Sequence, residues 1–246
     1  FMSVKNKVVV VTGASSGIGE ATVKELTAQG AKVVFGARRE TKLAAVAHTM
    51  PSDSYVYQVV DVTDPVQTTA LLQLAIDKFG KVDALYNNAG VMPMEPLSNG
   101  SHDAWQQMLN INVMGVLNGI NAVLPIMHQQ GYGHILTTDS LAGYRVYPNL
   151  AVYSGTKYAI RAIMEGLRQE EIKHNIRTTV IAPGMVSTEL YKSIPDKKTA
   201  QDLVAKWNEP NHSLLPSDVA EAVTYVIGTP QRVSINEFNI RPTSEL

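Results

Sequence analysis

Three side chains with complementary chemistry, Ser140, Tyr153 and Lys157, lie thirteen and then four positions apart in the sequence. A helix over residues 150–173 would place Tyr153 and Lys157 on one face, a turn apart. An ammonium beside a phenol favours the phenolate, so the pair predicts a proton donor or acceptor usable nearer neutral pH than a free tyrosine. A hydroxyl from Ser140 would polarise a carbonyl aimed at that phenol. The spacing thus indicates proton transfer coupled to redox chemistry at a C–O bond.

The same spacing also fits a structural alternative, a helix in which Tyr153 packs and Lys157 is solvated. The predicted secondary structure around Ser140, Tyr153 and Lys157 distinguishes the catalytic from the structural interpretation. Short, almost continuously apolar runs alternate with amphipathic segments, which is typical of a parallel sheet covered by helices on both faces. The predicted strands are 8–11, 32–35, 55–60, 82–86, 134–137 and 178–181, and the predicted helices are 17–29, 40–49, 65–79, 102–129, 150–173 and 217–228.

This alternation, without a composition break or a linker, predicts an α/β fold. We expect a single doubly wound (Rossmann) domain over residues 1–246, with a mainly parallel sheet of about seven strands flanked by helices. Residues 185–215 interrupt the alternation and are mixed in polarity. An insertion beside the carboxyl ends of the strands often closes over a substrate, so this segment is predicted to be a substrate lid.

The first predicted strand runs into a glycine-rich turn, Thr12–Gly19, that opens a helix. In such a turn the glycines permit a tight bend, a close approach of backbone to phosphate, and close helix packing. The free N–H groups and the dipole of the helix N-terminus would bind a pyrophosphate. A glycine-rich turn without a ligand is the structural alternative. The cofactor-binding residues predicted here are Gly13, Ser15, Ser16, Gly17, Ile18 and Gly19.

The second predicted strand ends in Gly36-Ala37-Arg38-Arg39, where an NAD-specific site would carry an acidic residue for the ribose 2′-hydroxyl. A guanidinium binds a 2′-phosphate in fork geometry, whereas a carboxylate would repel it. Ala37, Arg38 and Arg39 therefore predict that the cofactor is NADP(H). The alternative, two solvated arginines opening the next helix, is disfavoured because cations at a helix N-terminus oppose the helix dipole.

The ends of the third and fourth predicted strands are also assigned to the cofactor site. The doubly wound topology would bring the end of the third strand near the adenine. The turn after the fourth strand would let backbone lie close to a ligand, although a structural role in bracing adjacent strands fits that turn at least as well. The residues assigned there are Asp61, Val62, Asn88, Ala89 and Gly90.

Together these elements resemble the short-chain dehydrogenase/reductase family, in its shorter NADP-preferring subgroup, over nearly the whole chain. The order and the spacing of the motifs fit the family. The residues that carry the resemblance are Thr12–Gly19, Asp61, Asn87–Gly90, Asn112 within Asn112-Val113-Met114-Gly115, Ser140, Tyr153, Lys157, Pro183-Gly184 and Thr188.

The resemblance implies a role for each motif. Tyr153 would exchange a proton with the carbonyl oxygen, and Ser140 would hydrogen-bond that oxygen. Lys157 would hold the nicotinamide ribose and lower the pKa of Tyr153. Asn112 would hold a water that links Lys157 to solvent, unless it is an ordinary mid-helix amide. The nicotinamide pocket would be shaped by Pro183, Gly184, Val186 and Thr188.

The implied activity is NADPH-dependent reduction of a ketone or aldehyde, or the reverse oxidation, by direct hydride transfer. The paired arginines and the terminal Ile240-Arg241-Pro242-Thr243 are similar to bacterial 3-hydroxy acid dehydrogenases and clavulanate-dehydrogenase-like enzymes. That branch reduces aldehydes, ketones and β-keto acids or esters broadly. Members of the family are commonly homotetramers or homodimers, so a homo-oligomer is expected.

The segments after Ser140 and Pro183 are predicted to line the substrate pocket, and the turn after the fourth strand would close another side. Apolar, aromatic and methionine side chains favour a hydrophobic ketone or aldehyde over a sugar. Arg145 would clamp a carboxylate, unless it is an exposed loop arginine. The predicted lining is Met92, Met94, Leu141, Ala142, Gly143, Tyr144, Arg145, Tyr147, Met185, Glu189, Leu190 and Tyr191.

The composition argues against several other classes of protein. A net charge of -1 without a basic run gives no electrostatic support for binding nucleic acid or anionic membranes. No apolar run is expected to span a bilayer, and the six histidines lack ligand-like spacing, so no metal is expected. The absence of cysteine excludes disulfides. We expect a cytoplasmic enzyme that acts on a small molecule.

Two other functions compete with a carbonyl reductase. A non-catalytic NADP(H) sensor would bind the cofactor and report redox state to a partner, but it would not need Tyr153 or Ser140. An isomerase or epimerase on the related extended scaffold usually has a longer substrate domain than the segment that follows Pro183.

Overall fold

The computed structural model describes residues 2–244; Phe1, Glu245 and Leu246, which the predicted domain limits include, lie outside the described residues. Its centre is a seven-stranded sheet in the order β3-β2-β1-β4-β5-β6-β7, and every neighbouring pair is parallel. The strands are β1 (Val8–Thr12), β2 (Lys32–Ala37), β3 (Tyr55–Val59), β4 (Ala84–Asn87), β5 (Gly133–Thr138), β6 (Ile176–Pro183) and β7 (Glu237–Ile240).

The central strands form a sheet because both of their faces are apolar and buried. In β1, Val9 and Val11 belong to the core on one face of the sheet, and Val8 and Val10 belong to the core on the other. This two-residue alternation is the geometry of a pleated strand. The sheet is therefore covered on both sides, as a fully parallel sheet requires.

Eight α-helices lie between the strands in residues 2–244, and six of them cover the two faces of the sheet. Buried side chains of α1, α2 and α8 join one core, and those of α3, α5 and α6 join the other. The helices are α1 (Gly17–Ala28), α2 (Glu40–Ala47), α3 (Pro65–Phe79), α4 (His102–Met108), α5 (Gly115–Gln130), α6 (Ala151–Glu171), α7 (Lys197–Trp207) and α8 (Pro216–Gly228).

The doubly wound parallel fold predicted from the sequence is confirmed, with three local differences. The predicted helix 102–129 contains a π-helical segment, Leu109–Met114, between α4 and α5. A seventh strand, β7, lies at the sheet edge beside β6, where no strand was assigned. Residues 185–215 contain a 3-10 turn, Glu189–Ser193, and the helix α7. Helix α7 has no buried residue, and such a helix gives a weak core-facing signal in the sequence.

One helical stretch bears on the expectation that no apolar run is long enough to span a bilayer. The continuous helical stretch His102–Gln130 is long and apolar enough, by length and composition, to cross a membrane. Core helices of globular proteins pass the same test. Here Val116, Ile120, Val123 and Met127 are packed in the core beneath the sheet.

The central strands carry much of the core, so a truncation there should be costly. Leu136, in β5, is fully buried between β4 and β6. We expect Leu136→Ala to destabilise the protein by about 2–5 kcal/mol, since it removes buried apolar contacts and leaves a cavity. Leu97→Ala, at a 58% exposed position, is the matched control and should change stability by less than about 0.5 kcal/mol. Urea unfolding measures both, and equal effects would contradict the assignment of the core.

Candidate active site

The end of β5 and the first turn of α6 bring Ser140 and Tyr153 together. Ser140 has extended backbone and opens a 3-10 turn, Leu141–Gly143, in which its Oγ accepts a hydrogen bond from the Ala142 N–H at 3.1 Å. The Ser140 side chain lies beside the Tyr153 phenol and acts to lower its pKa. Tyr153 is 6% exposed, so the phenol lies in a largely water-free site beside the strand end.

Lys157 lies one helical turn beyond Tyr153, as the i, i+4 spacing predicts. Its Nζ donates to the Thr138 carbonyl oxygen at 2.8 Å, so the ammonium is fixed to the last residue of β5. The same Nζ is 5.6 Å from the centroid of the Tyr153 ring. Burial lowers the pKa of Lys157, and the nearby Asp139 carboxyl opposes that shift.

The prediction that Tyr153 loses its proton nearer neutral pH than a free tyrosine does not hold for the cofactor-free site. Burial raises the pKa of Tyr153 above its usual value because the phenolate is harder to desolvate than the phenol. The neighbouring Ser140 hydroxyl acts to lower this pKa, and the Asp139 carboxyl adds to the increase. Without a cofactor, Tyr153 is therefore a protonated phenol at neutral pH.

Asp139 is a charged neighbour of the site that sequence reasoning missed. It is 2% exposed, and neither carboxylate oxygen has a hydrogen-bond partner within residues 2–244. A Cβ on Gly143 would lie 2.4 Å from its Oδ2, so the 3-10 turn packs directly onto the carboxyl group. Burial raises the pKa of Asp139 to about 7, and Lys157 partly opposes that shift. The charge of Asp139 therefore changes near neutral pH.

The glycine-rich loop after β1 has the backbone of a phosphate-binding turn. Gly13 and Gly17 have φ of +67° and +58°, a region that side-chain-bearing residues rarely adopt. A Cβ on Gly13 would lie 2.7 Å from the Ala89 Cα, so only glycine fits there. The first N–H groups of α1 receive no side-chain cap from Ser16. They are thus available to an anionic ligand, which fits the pyrophosphate of a dinucleotide.

Arg39 lies over this loop. Its guanidinium donates to Ser15 Oγ from Nε at 3.2 Å and from Nη2 at 2.9 Å, and to Ser16 Oγ from Nη2 at 2.7 Å. Arg38 is exposed, whereas Ala37 is buried in the β2–β3 ladder. Of the two predicted arginines, Arg39 is the one whose contacts fix it beside the phosphate loop.

The turn after β4 braces the strand ends, as one of the two readings of the sequence had it. Asn88 Nδ2 donates to the Thr12 and Gly13 carbonyl oxygens at 3.2 and 3.3 Å, and its Oδ1 accepts from Thr138 Oγ1 at 3.0 Å. One side chain thus ties the ends of β1, β4 and β5 together. Ala89 follows it and lies against Gly13 of the glycine loop, and the next residue, Gly90, lies near Asn112 Oδ1.

The residues after β3 also have structural partners. Asp61 Oδ1 accepts from the Thr63 N–H at 3.0 Å and from Thr63 Oγ1 at 2.8 Å. The Val62 carbonyl oxygen accepts from Asn118 Nδ2 at 2.8 Å, which ties this loop to α5. Their assignment to the adenine side of the cofactor site stays a prediction.

Asn112 lies in the π-helical segment and is 2% exposed. Its Oδ1 accepts from the Val91 N–H, and its Nδ2 donates to the Val91 carbonyl oxygen, both at 2.9 Å. The amide also donates to Thr156 Oγ1 at 3.2 Å. The side chain therefore connects the loop after β4 to α6, so Asn112 is more than an ordinary mid-helix amide. π-helical turns are frequent at functional sites.

An apolar cluster surrounds Tyr153. Three of the predicted pocket residues, Ala142, Tyr147 and Met92, belong to it. Trp105 and Met108 of α4 pack there as well, and sequence reasoning missed them because nothing in their spacing connects α4 to residues near Tyr153. The other members of the cluster are Val91, Leu150 and Val152. Leu141 is buried, and Met94 is half-buried.

Two predicted pocket residues are held by other partners. Tyr144 Oη donates to Glu237 Oε2 at 2.7 Å, and its ring lies 3.9 Å from the Arg161 guanidinium carbon, which directs it toward β7 and α6. Arg145 Nε donates to Tyr147 Oη, and the guanidinium also lies over the Tyr147 ring. The Tyr144 assignment to the substrate pocket is therefore corrected.

The chain after β6 runs along the glycine loop. The Gly184 N–H donates to the Ile240 carbonyl oxygen at 2.8 Å, and Met185 and Val186 pair with Leu214. A Cβ on Gly17 would lie 3.1 Å from Thr188 Cβ. Leu190 is half-buried, and Tyr191 packs edge-on against Trp207 of α7 at 5.6 Å between centroids. The segment from Pro183 to Thr188 thus runs from the end of β6 to the phosphate loop.

Glu189 is the clearest correction among the pocket residues. Its carboxylate accepts from Arg39 Nη1 at 2.8 Å and from Lys42 Nζ at 2.7 Å, so it faces the cofactor side rather than Tyr153. A cavity of about 410 Å³ lies between the phosphate loop, the 3-10 turn Glu189–Ser193 and Trp207 of α7. Long-range ion pairs of this kind leave no signal in local sequence spacing.

The histidines are not all scattered, contrary to the sequence expectation. The ligand atoms of His128, Glu171 and His174 lie within 4.8 Å of one another, with His128 Nε2 at 2.6 Å from Glu171 Oε2 and the two rings stacked at 4.1 Å. The cluster lies at the ends of α5 and α6 that precede β5 and β6, away from the strand ends that carry Ser140. It takes no part in the site described above.

Comparison with known proteins agrees with this architecture. Residues 7–199 match the short chain dehydrogenase family, and the chain belongs to that family. An uncharacterized oxidoreductase of Staphylococcus saprophyticus is 49% identical over 99% of this chain and 98% of its own. An alcohol dehydrogenase from Thermococcus sibiricus, solved with 5-hydroxy-NADP, superposes with a TM-score of 0.87, at 28% identity over 98% of this chain and 99% of its own.

A serine dehydrogenase solved with NADP+ superposes equally well, with a TM-score of 0.87, at 32% identity over 94% of this chain and 93% of its own. Other structural neighbours have been solved with NADH or NAD. The protein is therefore an oxidoreductase of the short-chain dehydrogenase family, and several of its structural neighbours have been solved with NADP or NAD.

The buried Asp139 carboxyl should destabilise the protein once it ionises. In the unfolded chain it loses its proton near pH 4, whereas in the folded protein its pKa is about 7, so the folded state binds more protons between these values. Its contribution to stability therefore falls as the pH rises from about 4 to 7. We expect Asp139→Asn to be more stable than wild type by about 1–3 kcal/mol at pH 8, and to differ little at pH 4.

Thermal unfolding of both proteins across this range measures the difference. Asp77→Asn, at an exposed position of α3, is the control and should leave the pH dependence unchanged. An Asp139→Asn advantage that is constant with pH would contradict the raised pKa.

Proposed function

We propose that this protein is an NADPH-dependent carbonyl reductase, working in reverse as an alcohol dehydrogenase, with Tyr153 as its acid and base. The observation that carries the proposal is the buried Tyr153 phenol beside Ser140 at the end of β5, with the buried Lys157 one helical turn away. The phenol lies at the carboxyl ends of the strands, as the glycine loop does. Asn88 connects the end of β5 to the glycine loop by its hydrogen bonds with Thr138 and Gly13. A reacting C–O group and a dinucleotide would meet at this edge.

Each catalytic group has a distinct role in this proposal. Tyr153 Oη donates its proton to the carbonyl oxygen during reduction and takes it back during oxidation. Ser140 Oγ holds the same oxygen by a hydrogen bond. Because burial keeps the Tyr153 phenol protonated, the cofactor-free site is prepared for reduction. A bound nicotinamide cofactor supplies hydride exchange with the carbon of the C–O group.

Lys157 would bind the ribose of the cofactor, and Asn112 would support proton transfer to solvent. Lys157 Nζ is held by the Thr138 carbonyl oxygen, with its remaining N–H groups available for ribose hydroxyls. Its positive charge would favour the phenolate once a second positive charge, on oxidised nicotinamide, lies nearby. Asn112 holds the loop after β4 against α6, and in this role it would support a water path from Lys157 to solvent.

The substrate is proposed to be a hydrophobic ketone or aldehyde. The cluster around Tyr153 presents Trp105, Met108, Tyr147 and Met92, which favour an apolar partner. Methionine side chains adapt to several shapes, which suits a broad substrate range. Residues 185–215 would act as the lid of a single catalytic domain that includes the whole described chain.

A 3-hydroxy acid is the second candidate for the substrate. It is favoured by the likeness to the serine dehydrogenase, since serine is itself a 3-hydroxy acid. Arg145 would supply the cation that a carboxylate needs, after exchanging its present contact with Tyr147. A substrate panel that pairs neutral ketones with 3-keto and 3-hydroxy acids decides between the two candidates.

The remaining proposals concern context. A cytoplasmic location, a homodimeric or homotetrameric state, and the absence of a nucleic-acid, membrane or metal partner continue to rest on the sequence alone. A non-catalytic sensor of NADP(H) is less consistent with a phenol that is buried beside a serine hydroxyl.

Replacing the proposed acid tests the mechanism. We expect Tyr153→Phe to lower kcat for ketone reduction by at least 10²-fold, because general acid catalysis contributes about that much. The variant keeps the ring that packs in the apolar cluster, so NADPH binding should change less than threefold. Tyr158→Phe, at an exposed position of the same helix, is the matched control. Turnover by Tyr153→Phe within tenfold of wild type would remove Tyr153 as the acid.

The cofactor preference has its own test. We expect wild type to use NADPH with at least tenfold higher kcat/KM than NADH. Arg39→Ala should remove most of this advantage by raising KM for NADPH, since a charge-assisted hydrogen bond contributes about 1.5–3 kcal/mol. Arg232→Ala, in the loop before β7, should leave the ratio unchanged. Equal kcat/KM values for NADH and NADPH in wild type would overturn the preference.

A further inference from the structure

The 3-10 turn Glu189–Ser193 is fastened to the cofactor side of the molecule by one carboxylate. Glu189 accepts hydrogen bonds from Arg39 Nη1 at 2.8 Å, from Lys42 Nζ at 2.7 Å to each oxygen, and from Lys192 Nζ at 2.5 Å. Arg39 and Lys42 come from the start of α2, about 150 residues earlier in the chain. Hydrogen bonds from Lys192, Lys42 and Arg39 hold the pKa of Glu189 well below its usual range, so it is ionised.

The position of this carboxylate is informative because Arg39 has two sets of partners. The guanidinium donates to Ser15 and Ser16 of the phosphate loop on one side and to Glu189 on the other. The proposed NADP(H) preference depends on Arg39 binding a 2′-phosphate. A carboxylate and a phosphate cannot share this guanidinium and Lys42 without strong repulsion between like charges.

Charge and donor counting favour the phosphate in this exchange. Three cations, Arg39, Lys42 and Lys192, surround the single negative charge of Glu189. A phosphate monoester carries nearly two negative charges at neutral pH and offers three acceptor oxygens, whereas the carboxylate offers two. The cation cluster is therefore better neutralised by a phosphate monoester than by Glu189.

We propose that Arg39 and Lys42 together form the 2′-phosphate site of this protein, and that Glu189 is a specificity-determining residue that occupies this site until the phosphate displaces it. The proposal rests on the proposed NADP(H) preference and adds Lys42 and Glu189 to it. A cofactor without a 2′-phosphate leaves the Glu189 ion pairs in place.

The displacement also affects the segment that carries Glu189. The turn Glu189–Ser193 borders the 410 Å³ cavity, and Ser193 Oγ accepts from the Met92 N–H at 3.0 Å, next to the apolar cluster around Tyr153. Release of Glu189 frees one end of the turn while this contact holds the other. Binding of the 2′-phosphate is thus coupled to the mobility of the segment above the substrate side.

The direct test compares two small probes by titration calorimetry, adenosine 2′,5′-bisphosphate and 5′-AMP. Glu189→Gln keeps the shape of the side chain but removes its charge, so the 2′-phosphate no longer competes with an anion. We expect this variant to bind the bisphosphate about tenfold more tightly than wild type, with 5′-AMP affinity changed less than twofold. Glu209→Gln is the matched control, because Glu209 pairs with His212 within the same segment.

Lys42→Met tests the second cation and keeps most of the aliphatic stem. We expect it to weaken the bisphosphate at least fivefold in the Glu189→Gln background, where no competing ion pair is lost. Hydrogen exchange supplies a structural readout: the bisphosphate should accelerate exchange of residues 189–194 in wild type, and 5′-AMP should not.

The proposal is overturned if Glu189→Gln leaves bisphosphate affinity unchanged or weakens it, or if it tightens both probes equally. It is also overturned if Lys42→Met has no effect on the bisphosphate. These outcomes are distinct from failure of the cofactor preference, which would appear as equal use of NADH and NADPH by wild type. Selective tightening of the bisphosphate in Glu189→Gln would support the exchange even then.

Discussion

Four neighbouring strands, β1, β4, β5 and β6, are parallel to one another. The segments that follow these strands must therefore meet at the carboxyl ends of the strands, and the site depends on this constraint. The glycine loop, the Asn88 turn, Ser140 and the Thr188 segment each follow one of these strands. Asn88 makes the constraint specific, because its amide bonds to the Thr12 and Gly13 carbonyl oxygens and to Thr138 Oγ1. The cofactor loop and the proposed catalytic serine are therefore held in a fixed relation before any ligand binds.

Burial then decides the electrostatics of this edge. The same low-polarity surroundings raise the pKa values of Tyr153 and Asp139 and lower that of Lys157. Each of the three groups is less readily charged than in water, so a charged ligand bound beside them would change their pKa values. The cost is borne by Asp139, whose oxygens have no hydrogen-bond partner in the described part of the chain. An unpaired buried carboxyl that contacts the 3-10 turn after Ser140 destabilises this arrangement when it ionises.

Much of this could be predicted because local sequence determines it. Apolar strands, the glycine loop and the i, i+4 relation of Tyr153 and Lys157 are short-range patterns, and all appear where the sequence placed them. The family resemblance tied these patterns together. What the sequence could not supply were contacts between distant segments. Glu189 was assigned to the substrate pocket from its position after Pro183, yet it pairs with Arg39 and Lys42.

Environment was the second source of error. A lowered pKa of Tyr153 was inferred from its spacing to Lys157, but the sign of the net shift depends on burial, which only the packed structure gives. The apolar partners Trp105 and Met108 were missed for the same reason, since they come from α4 and meet Tyr153 only in the folded protein. Helix α7 was missed because it buries nothing that would mark it as a core helix.

In the proposed reaction, hydride moves directly to a carbonyl carbon while Tyr153 supplies the proton to its oxygen. The most direct test incubates the protein with NADPH deuterated at either face of nicotinamide C4, over a panel of ketones and aldehydes, and analyses the alcohols by mass spectrometry and NMR. We expect one deuterium, at the carbinol carbon, from one face only, and much slower labelling by Tyr153→Phe. Deuterium that appears from neither face in any product, or carbinol hydrogen that comes from solvent, would contradict it.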